Sequence, residues 1–154
     1  MQIFIIGNPY ETALTLDKRR LNKQVIETGQ IIDAICYRIH GRKGGAWRNH
    51  PVVIMYQDHL EWLTRYGEIL DLVRLGHKIE DGDGVSNLLR STIEEAEKLK
   101  PHFHTQEFFH QMKRRLYTKD NQHYSQWASL GESEENWYFV DGGWIKYKNG
   151  KREE

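Results

Sequence analysis

Glycine and proline clusters divide the chain into pieces of helical length. They lie at residues 7–9, 41–45, 82–84, 101 and 142–143. Apolar residues between them recur with the three- and four-residue spacing of a helix face. No repeat or Pro/Ser-rich linker splits the 154 residues, which are enough for one packed core and too few for two. The pattern predicts a mainly all-α, single-domain fold over residues 1–154.

The predicted helices cover about residues 15–40, 51–75, 85–99 and 105–117, with a short one at 123–128. The first helix is predicted to bury a stripe of Leu21, Val25, Ile32, Ile35, Cys36 and Ile39. Residues 1–6 are apolar and predict a short N-terminal extended segment. Residues 137–147 predict an aromatic C-terminal loop or hairpin that turns at 141–143. The tail after about residue 148 is expected to be flexible.

Composition excludes several classes of protein. Hydrophobic residues make up 38% of the chain, and no window approaches the 18 to 20 apolar residues of a membrane-spanning helix. The start of the chain lacks the basic region and cleavage site of a secretory signal, so we expect a cytoplasmic protein. Cys36 is the only cysteine, which excludes an internal disulfide and a cysteine-type zinc site.

The charge is balanced overall but unevenly distributed. The chain has 22 basic and 22 acidic side chains, and basic blocks at 18–48 and 113–119 alternate with acidic ones. If both basic blocks fold onto one face, that face attracts phosphates although the molecule is neutral. Charges scattered over solvated helix faces are the alternative. Five Trp and eight Tyr favour the first interpretation, since aromatic rings beside basic groups suit unstacked bases.

Glu27 is the strongest candidate for chemistry. At 100° per residue, one flank of the first helix carries Arg20, Lys23, Glu27, Ala34 and Arg38. A single carboxylate among cations stays ionised and can stabilise a developing cation or transfer a proton. The alternative is an ordinary surface pair of Lys23 with Glu27, four residues apart.

Other sites have weaker support in the sequence. His102, His104 and His110 could gather a metal, but they lack the spacing of known metal motifs. No phosphate-binding glycine loop and no serine or cysteine nucleophile motif is present. Arg115 and Lys119 lie four residues apart on a helix, as two phosphate contacts would, or they complement the helix dipole.

The run from Leu21 to Glu27, preceded by Asp17 and Arg20, resembles the first-helix motif of the pyrimidine-dimer DNA glycosylases of the T4 endonuclease V type. Residues 56–63 and 74–81 are similar to that family's long central helix. Three further features resemble the family: His50-Pro51, the segment from Arg115 to Lys119, and the aromatic tail with Trp137, Tyr138, Phe139, Trp144 and Tyr147.

The resemblance implies a DNA repair glycosylase with AP lyase activity that excises one base of a cyclobutane pyrimidine dimer. The N-terminal α-amine would attack C1′ of the sugar and form an imine, and Glu27 would assist base release and proton transfer. Arg20 and Lys23 would lie beside the lesion, and Arg115 and Lys119 would hold backbone phosphates. The implied partner is damaged double-stranded DNA. The resemblance implies no metal, cofactor or membrane, and we expect a monomer.

Three positions depart from the family pattern. Gln2 is bulky and predicts that Met1 is retained, so the nucleophile would be the amine of Met1. Ile26 and Gln30 stand where the family has arginines. Other basic groups that can replace these two cations are Arg19, Arg42, Lys43 and Arg48, and His50 is a further candidate for DNA binding. Two alternatives stay open: a non-catalytic DNA-binding protein on the same scaffold, and an N-glycosidase for another modified base.

Overall fold

The computed structural model describes residues 1–41, 45 and 47–154. The α-helices are α1 (Pro9–Thr15), α2 (Lys18–Ile39), α3 (Pro51–Tyr56), α4 (Leu60–Arg74), α5 (Gly84–Lys98) and α6 (Gln106–Lys119). Short 3₁₀ turns lie at Ile79–Asp81 and Ser125–Leu130, and the strands are β1 (Glu135–Val140), β2 (Gly143–Lys148) and β3 (Lys151–Arg152). The prediction of a mainly all-α fold is confirmed.

Residues 9–15 form a helix that the sequence pattern does not predict, and the helix predicted from about residue 15 begins at Lys18. Asn8 caps α1 with its side chain, and Pro9 occupies the first helical position, where a missing N–H costs nothing. Leu16 is extended, and the Asp17 carboxylate then accepts a hydrogen bond from the Arg20 N–H to start α2. Apolar spacing runs across this junction, so periodicity alone does not reveal it.

The second predicted helix, residues 51–75, is two helices. Nδ1 of His50 accepts a hydrogen bond from the Val52 N–H at 3.1 Å and caps α3. Residues 57–59 then interrupt the helix, and the His59 N–H donates to the Tyr56 carbonyl at 2.9 Å. Tyr56 and Trp62, on either side of the interruption, stack with ring centroids 5.5 Å apart. This aromatic packing stabilises a bend that the sequence pattern does not reveal.

The buried face of α2 differs from the predicted stripe. Its buried residues are Leu21, Gln24, Thr28, Ile31, Ala34 and Ile35. Ile39, predicted to be buried, is 57% exposed. Helix α4 crosses α2 closely at Gly67, where an added Cβ would lie 3.1 Å from Cγ2 of Thr28. Small and polar side chains therefore occupy the tightest part of the interface. A search for large apolar residues finds only part of the face: Leu21 and Ile35 are buried as predicted, and Val25 and Ile32 are partly buried against the core.

The aromatic hairpin is confirmed. β1 and β2 pair in antiparallel register, with Trp137 opposite Lys146 and Phe139 opposite Trp144. Asp141 and Gly142 turn the chain with φ of 52° and 78°, the signs that a type I′ turn requires. β3 pairs with β2 in the tail that was expected to be flexible. β1 packs against α3 and α6 and so joins the C-terminal hairpin to the N-terminal half of the chain.

Within the described ranges, no helix combines the length and apolarity needed to cross a bilayer.

Candidate active site

The N-terminal segment crosses α2 and is fixed there by one buried amide. The Phe4 N–H donates to Oε1 of Gln24 at 2.8 Å, and Nε2 of Gln24 donates to the Gln2 carbonyl at 3.0 Å. The Tyr66 hydroxyl donates to the Phe4 carbonyl at 2.5 Å. Gln24 is 1% exposed and lies about one turn before Glu27. These bonds therefore direct the start of the chain toward Glu27.

A cleft of about 330 Å³ opens at this crossing. Most of the site residues predicted from the sequence line it: Met1, Arg19, Arg20, Lys23, Glu27 and Lys119. Gln2 and Phe4 complete the lining. The two predicted catalytic residues thus share one cavity with four cationic side chains. These residues come from three parts of the chain: the N-terminus, α2 and the end of α6.

Glu27 is the sheltered acid of this cleft. Its side chain is 18% exposed, whereas that of Lys23 is 73% exposed, and Nζ of Lys23 lies 3.8 Å from Oε1 of Glu27. The predicted pair is therefore present, but its carboxylate is turned into the cavity. A contact of this length with an exposed lysine leaves the Glu27 oxygens available to a ligand.

Arg20 is held in place by two carboxylates. Nη1 of Arg20 lies 3.1 Å from Oδ1 of Asp17 and 3.9 Å from Oδ2 of Asp120. Asp17 also accepts a hydrogen bond from the Tyr124 hydroxyl. Burial opposes ionisation of Asp17, but the bonds from Tyr124 and Arg20 outweigh it and lower the pKa of this carboxyl. Asp17 therefore stays ionised and fixes the guanidinium at the edge of the cleft.

Of the two basic residues predicted at the end of α6, Lys119 lines the cleft and Arg115 does not. Burial lowers the pKa of Lys119, and the charges of Arg115, Arg20 and Lys23 lower it further, while Glu27 opposes them. This crowding of positive charge is what a phosphate relieves. Arg115 lies outside the cleft lining and instead donates to Oδ1 of Asn136 at 3.1 Å and to the Ser133 carbonyl at 3.4 Å.

The structure adds Tyr138, which the sequence suggested only as part of an aromatic tail. Its hydroxyl donates to the Met1 carbonyl at 3.4 Å, and its ring meets that of His50 edge-on at 5.7 Å. Burial, assisted by the positive charge of the Met1 amine, lowers the pKa of His50 to about 4. Burial raises the pKa of Tyr138 to about 12. Two neutral rings therefore flank the first residue.

The other predicted residues lie elsewhere. Arg48 lines a second cavity near the C-terminal end of α2, and Arg42 and Lys43 are outside the described residues. Ile26, where the family has arginine, is 63% exposed.

The candidate metal histidines do not gather. His104 is buried, and its Nε2 lies 2.8 Å from the Tyr56 hydroxyl. In the part of the chain that the structure describes, no three His, Cys, Asp or Glu side chains form a metal-binding group.

The family model of the pyrimidine dimer DNA glycosylases matches residues 1–78, just over half of the chain. The chain belongs to this family. It is therefore a member of a family of DNA repair glycosylases. Comparisons with curated proteins and with solved structures gave no match. The matched part includes the N-terminal segment, Glu27 and His50. Lys119 and Tyr138 lie beyond the match, and the fold brings them to the same site.

Proposed function

We propose that this family member excises one base of a cyclobutane pyrimidine dimer from duplex DNA and then cleaves the strand. The amine of Met1 is the nucleophile and Glu27 is the acid/base. One observation carries the proposal: Met1 and Glu27 line a single cleft with Arg19, Arg20, Lys23 and Lys119. The cleft has a size typical of ligand pockets.

The four cations account for DNA as the ligand. Arg20 is oriented by Asp17, and Lys119 lies among other positive charges that a phosphate would offset. Arg19 and Lys23 are exposed on the α2 side of the cleft. Phosphate contacts of this kind fix the register of a duplex and leave the reacting sugar to the groups inside. Extrusion of a nucleotide costs least at a damaged, poorly stacked pair.

The chemistry needs only a neutral amine and a carboxylate. The amine lone pair bonds to C1′, and the C1′–N bond to the base breaks with its electron pair leaving on the base. Loss of the amine protons and opening of the sugar ring give an imine between Met1 and C1′. Glu27 stabilises the cationic sugar and transfers these protons. Removal of a C2′ proton from the imine then expels the 3′ phosphate and cleaves the strand.

Borohydride trapping tests the proposal. The protein is incubated with a duplex carrying one thymine dimer and, in parallel, with an abasic duplex, and any reduced adduct is mapped by mass spectrometry. We expect an adduct on the Met1 amine with both substrates. Intact mass of the protein beforehand establishes whether Met1 is present.

Glu27→Gln separates the enzyme from a DNA-binding protein. We expect base release to fall by about 100- to 10,000-fold while duplex binding is retained, since a positioned acid/base contributes about this much. Glu61→Gln, on the exposed surface of α4, is the matched control.

In the trapping experiment, an adduct with the abasic duplex alone would indicate a different damaged base. No adduct with either duplex would contradict the imine mechanism.

A further inference from the structure

A second polar cavity lies at the C-terminal end of α2. It measures about 360 Å³ and is lined by Arg38, Ile39, Gly41, Arg48, Asn49 and Gln57. Nothing in the catalytic proposal uses Arg38, although it lies on the same flank of α2 as Glu27.

Arg38 is held rigidly by neutral groups. Its Nε donates to Oε1 of Gln57 at 2.8 Å, and its Nη1 donates to Oδ1 of Asn49 at 3.1 Å and to the Arg48 carbonyl at 3.3 Å. In the described ranges, no carboxylate forms a salt bridge with Arg38. Its charge is therefore positioned without a carboxylate partner among the described residues, and Arg48 lines the same cavity. An oriented planar guanidinium is well suited to phosphate oxygens.

The position of Arg38 relates this cavity to the catalytic cleft. Glu27 and Arg38 are eleven positions apart in α2, about 16 Å along the helix and about 20° apart around it. The two grooves of B-DNA are about 12 and 6 Å wide and together exceed this distance. A duplex seated over the cleft therefore extends as far as the Arg38 cavity. With about 3.4 Å of axis per nucleotide, this distance places the contacted phosphate about five base pairs from the reacting sugar.

We propose that the Arg38 cavity binds a backbone phosphodiester of the duplex whose damaged nucleotide occupies the Glu27 cleft. The inference rests on the proposed function for its substrate, and it adds a contact remote from the chemistry. Arg38 raises affinity and fixes register, and it takes no part in base release.

Four variants test the contact by fluorescence anisotropy with a labelled duplex containing a tetrahydrofuran abasic site. Arg38→Gln removes the charge. Gln57→Glu keeps the hydrogen bond from Arg38 but pairs the guanidinium with a carboxylate. Because Arg38 stays in position in this variant, a loss of affinity reports its neutralised charge and not a disordered loop. Arg90→Gln and Asn87→Asp, both on the exposed surface of α5, make the same charge changes elsewhere.

We expect Arg38→Gln and Gln57→Glu to weaken binding several-fold and to reduce the salt slope of log K by about 0.9, the value for one phosphate. The two α5 variants should leave the slope unchanged. Equal slopes in all four variants would overturn the proposal.

A methylphosphonate scan then locates the phosphate. Neutral linkages are placed singly on both strands within five base pairs of the abasic site. We expect one linkage to weaken the wild type but not Arg38→Gln, because that variant has already lost the contact. If every linkage weakens both proteins equally, Arg38 does not bind a phosphate. These assays measure binding alone, so failure of borohydride trapping would leave their result intact, and their failure would leave the proposed chemistry intact.

Discussion

Gln24 has one side-chain amide that satisfies two backbone groups of the N-terminal segment. Its oxygen accepts from the Phe4 N–H, and its nitrogen donates to the Gln2 carbonyl. A glutamine offers both a donor and an acceptor at one end, which no apolar or charged residue does. The position of the Met1 amine, the nucleophile of the proposed chemistry, therefore depends on a residue that bonds to the neighbouring backbone.

We expect Gln24→Leu to lower the free energy of unfolding by about 1–3 kcal/mol, because the buried Phe4 N–H is left without a partner. Borohydride trapping at Met1 should also slow, since the segment is no longer fixed to α2. Urea unfolding and trapping kinetics measure the two effects, with Gln30→Leu on the exposed surface of α2 as the control. Wild-type trapping by a folded Gln24→Leu protein would contradict this role.

Residues of the site differ in how visible they are in the sequence. Glu27 stands out because a carboxylate among cations breaks the charge pattern of its helix. Gln24 gives no comparable signal, since an amide at a core position looks like an interruption of an apolar stripe. Tyr138 is more than a hundred residues from Met1 in the chain, and its contact depends on how β1 packs against α3. Periodicity and motif spacing carry no information on such a contact.

The existence and approximate extent of the longer helices followed from the sequence, whereas α1 and the junctions between helices did not. α5 and α6 lie within a few residues of their predicted bounds because Asp83 and Thr105 cap them and Pro101 separates them. The breaks before α2 and α4 have no glycine or proline. Asp17 caps α2 within a continuous apolar pattern, and residues 57–59 break the helix where aromatic rings pack. Tertiary contacts decide both junctions.

Asp17 joins the start of α2 to the C-terminal half. It caps α2, accepts from Tyr124 and lies 3.1 Å from Arg20. We expect Asp17→Ala to lower the free energy of unfolding by about 2 kcal/mol, because the helix loses its cap and the buried Tyr124 hydroxyl loses its acceptor. Asp83→Ala removes only the cap of α5 and its local bonds to Ser86.

Urea unfolding of both cap variants and of Tyr124→Phe checks this prediction. The loss should be larger for Asp17→Ala than for Asp83→Ala, and Tyr124→Phe should account for part of the difference. Equal losses for the two caps would mean that the Tyr124 bond adds nothing to stability.

The stability of the folded protein depends on histidines that stay neutral. Burial lowers the pKa of His104 to about 3, and its Nε2 lies 2.8 Å from the Tyr56 hydroxyl. An unfolded histidine titrates near pH 6.5. Between these values the unfolded chain binds a proton that the folded protein does not. The free energy of unfolding therefore falls as pH drops from about 6.5 toward 3, by about 1.4 kcal/mol per unit for this residue.

Urea unfolding between pH 7 and 4 measures this dependence. His50, with a pKa of about 4, contributes to the same fall. We expect His104→Gln to have a shallower slope of stability against pH, whatever its stability at pH 7. His40→Gln, at an exposed position, is the control substitution. An unchanged slope in His104→Gln would show that this imidazole is protonated in the folded state.

The net charge of zero conceals a local concentration of positive charge. The salt dependence of duplex binding measures this local charge. Arg19, Arg20, Lys23 and Lys119 reach one cleft. If each contacts a phosphate, these four residues contribute about −3.6 to the slope of log K for duplex binding against log salt, or about 150-fold between 50 and 200 mM, and the contact proposed for Arg38 adds about −0.9. Lys119→Gln should reduce the slope by about 0.9, while Arg90→Gln should not change it. A free nucleoside substrate has no such phosphates, so a slope near zero would favour an N-glycosidase for small substrates over a DNA repair enzyme.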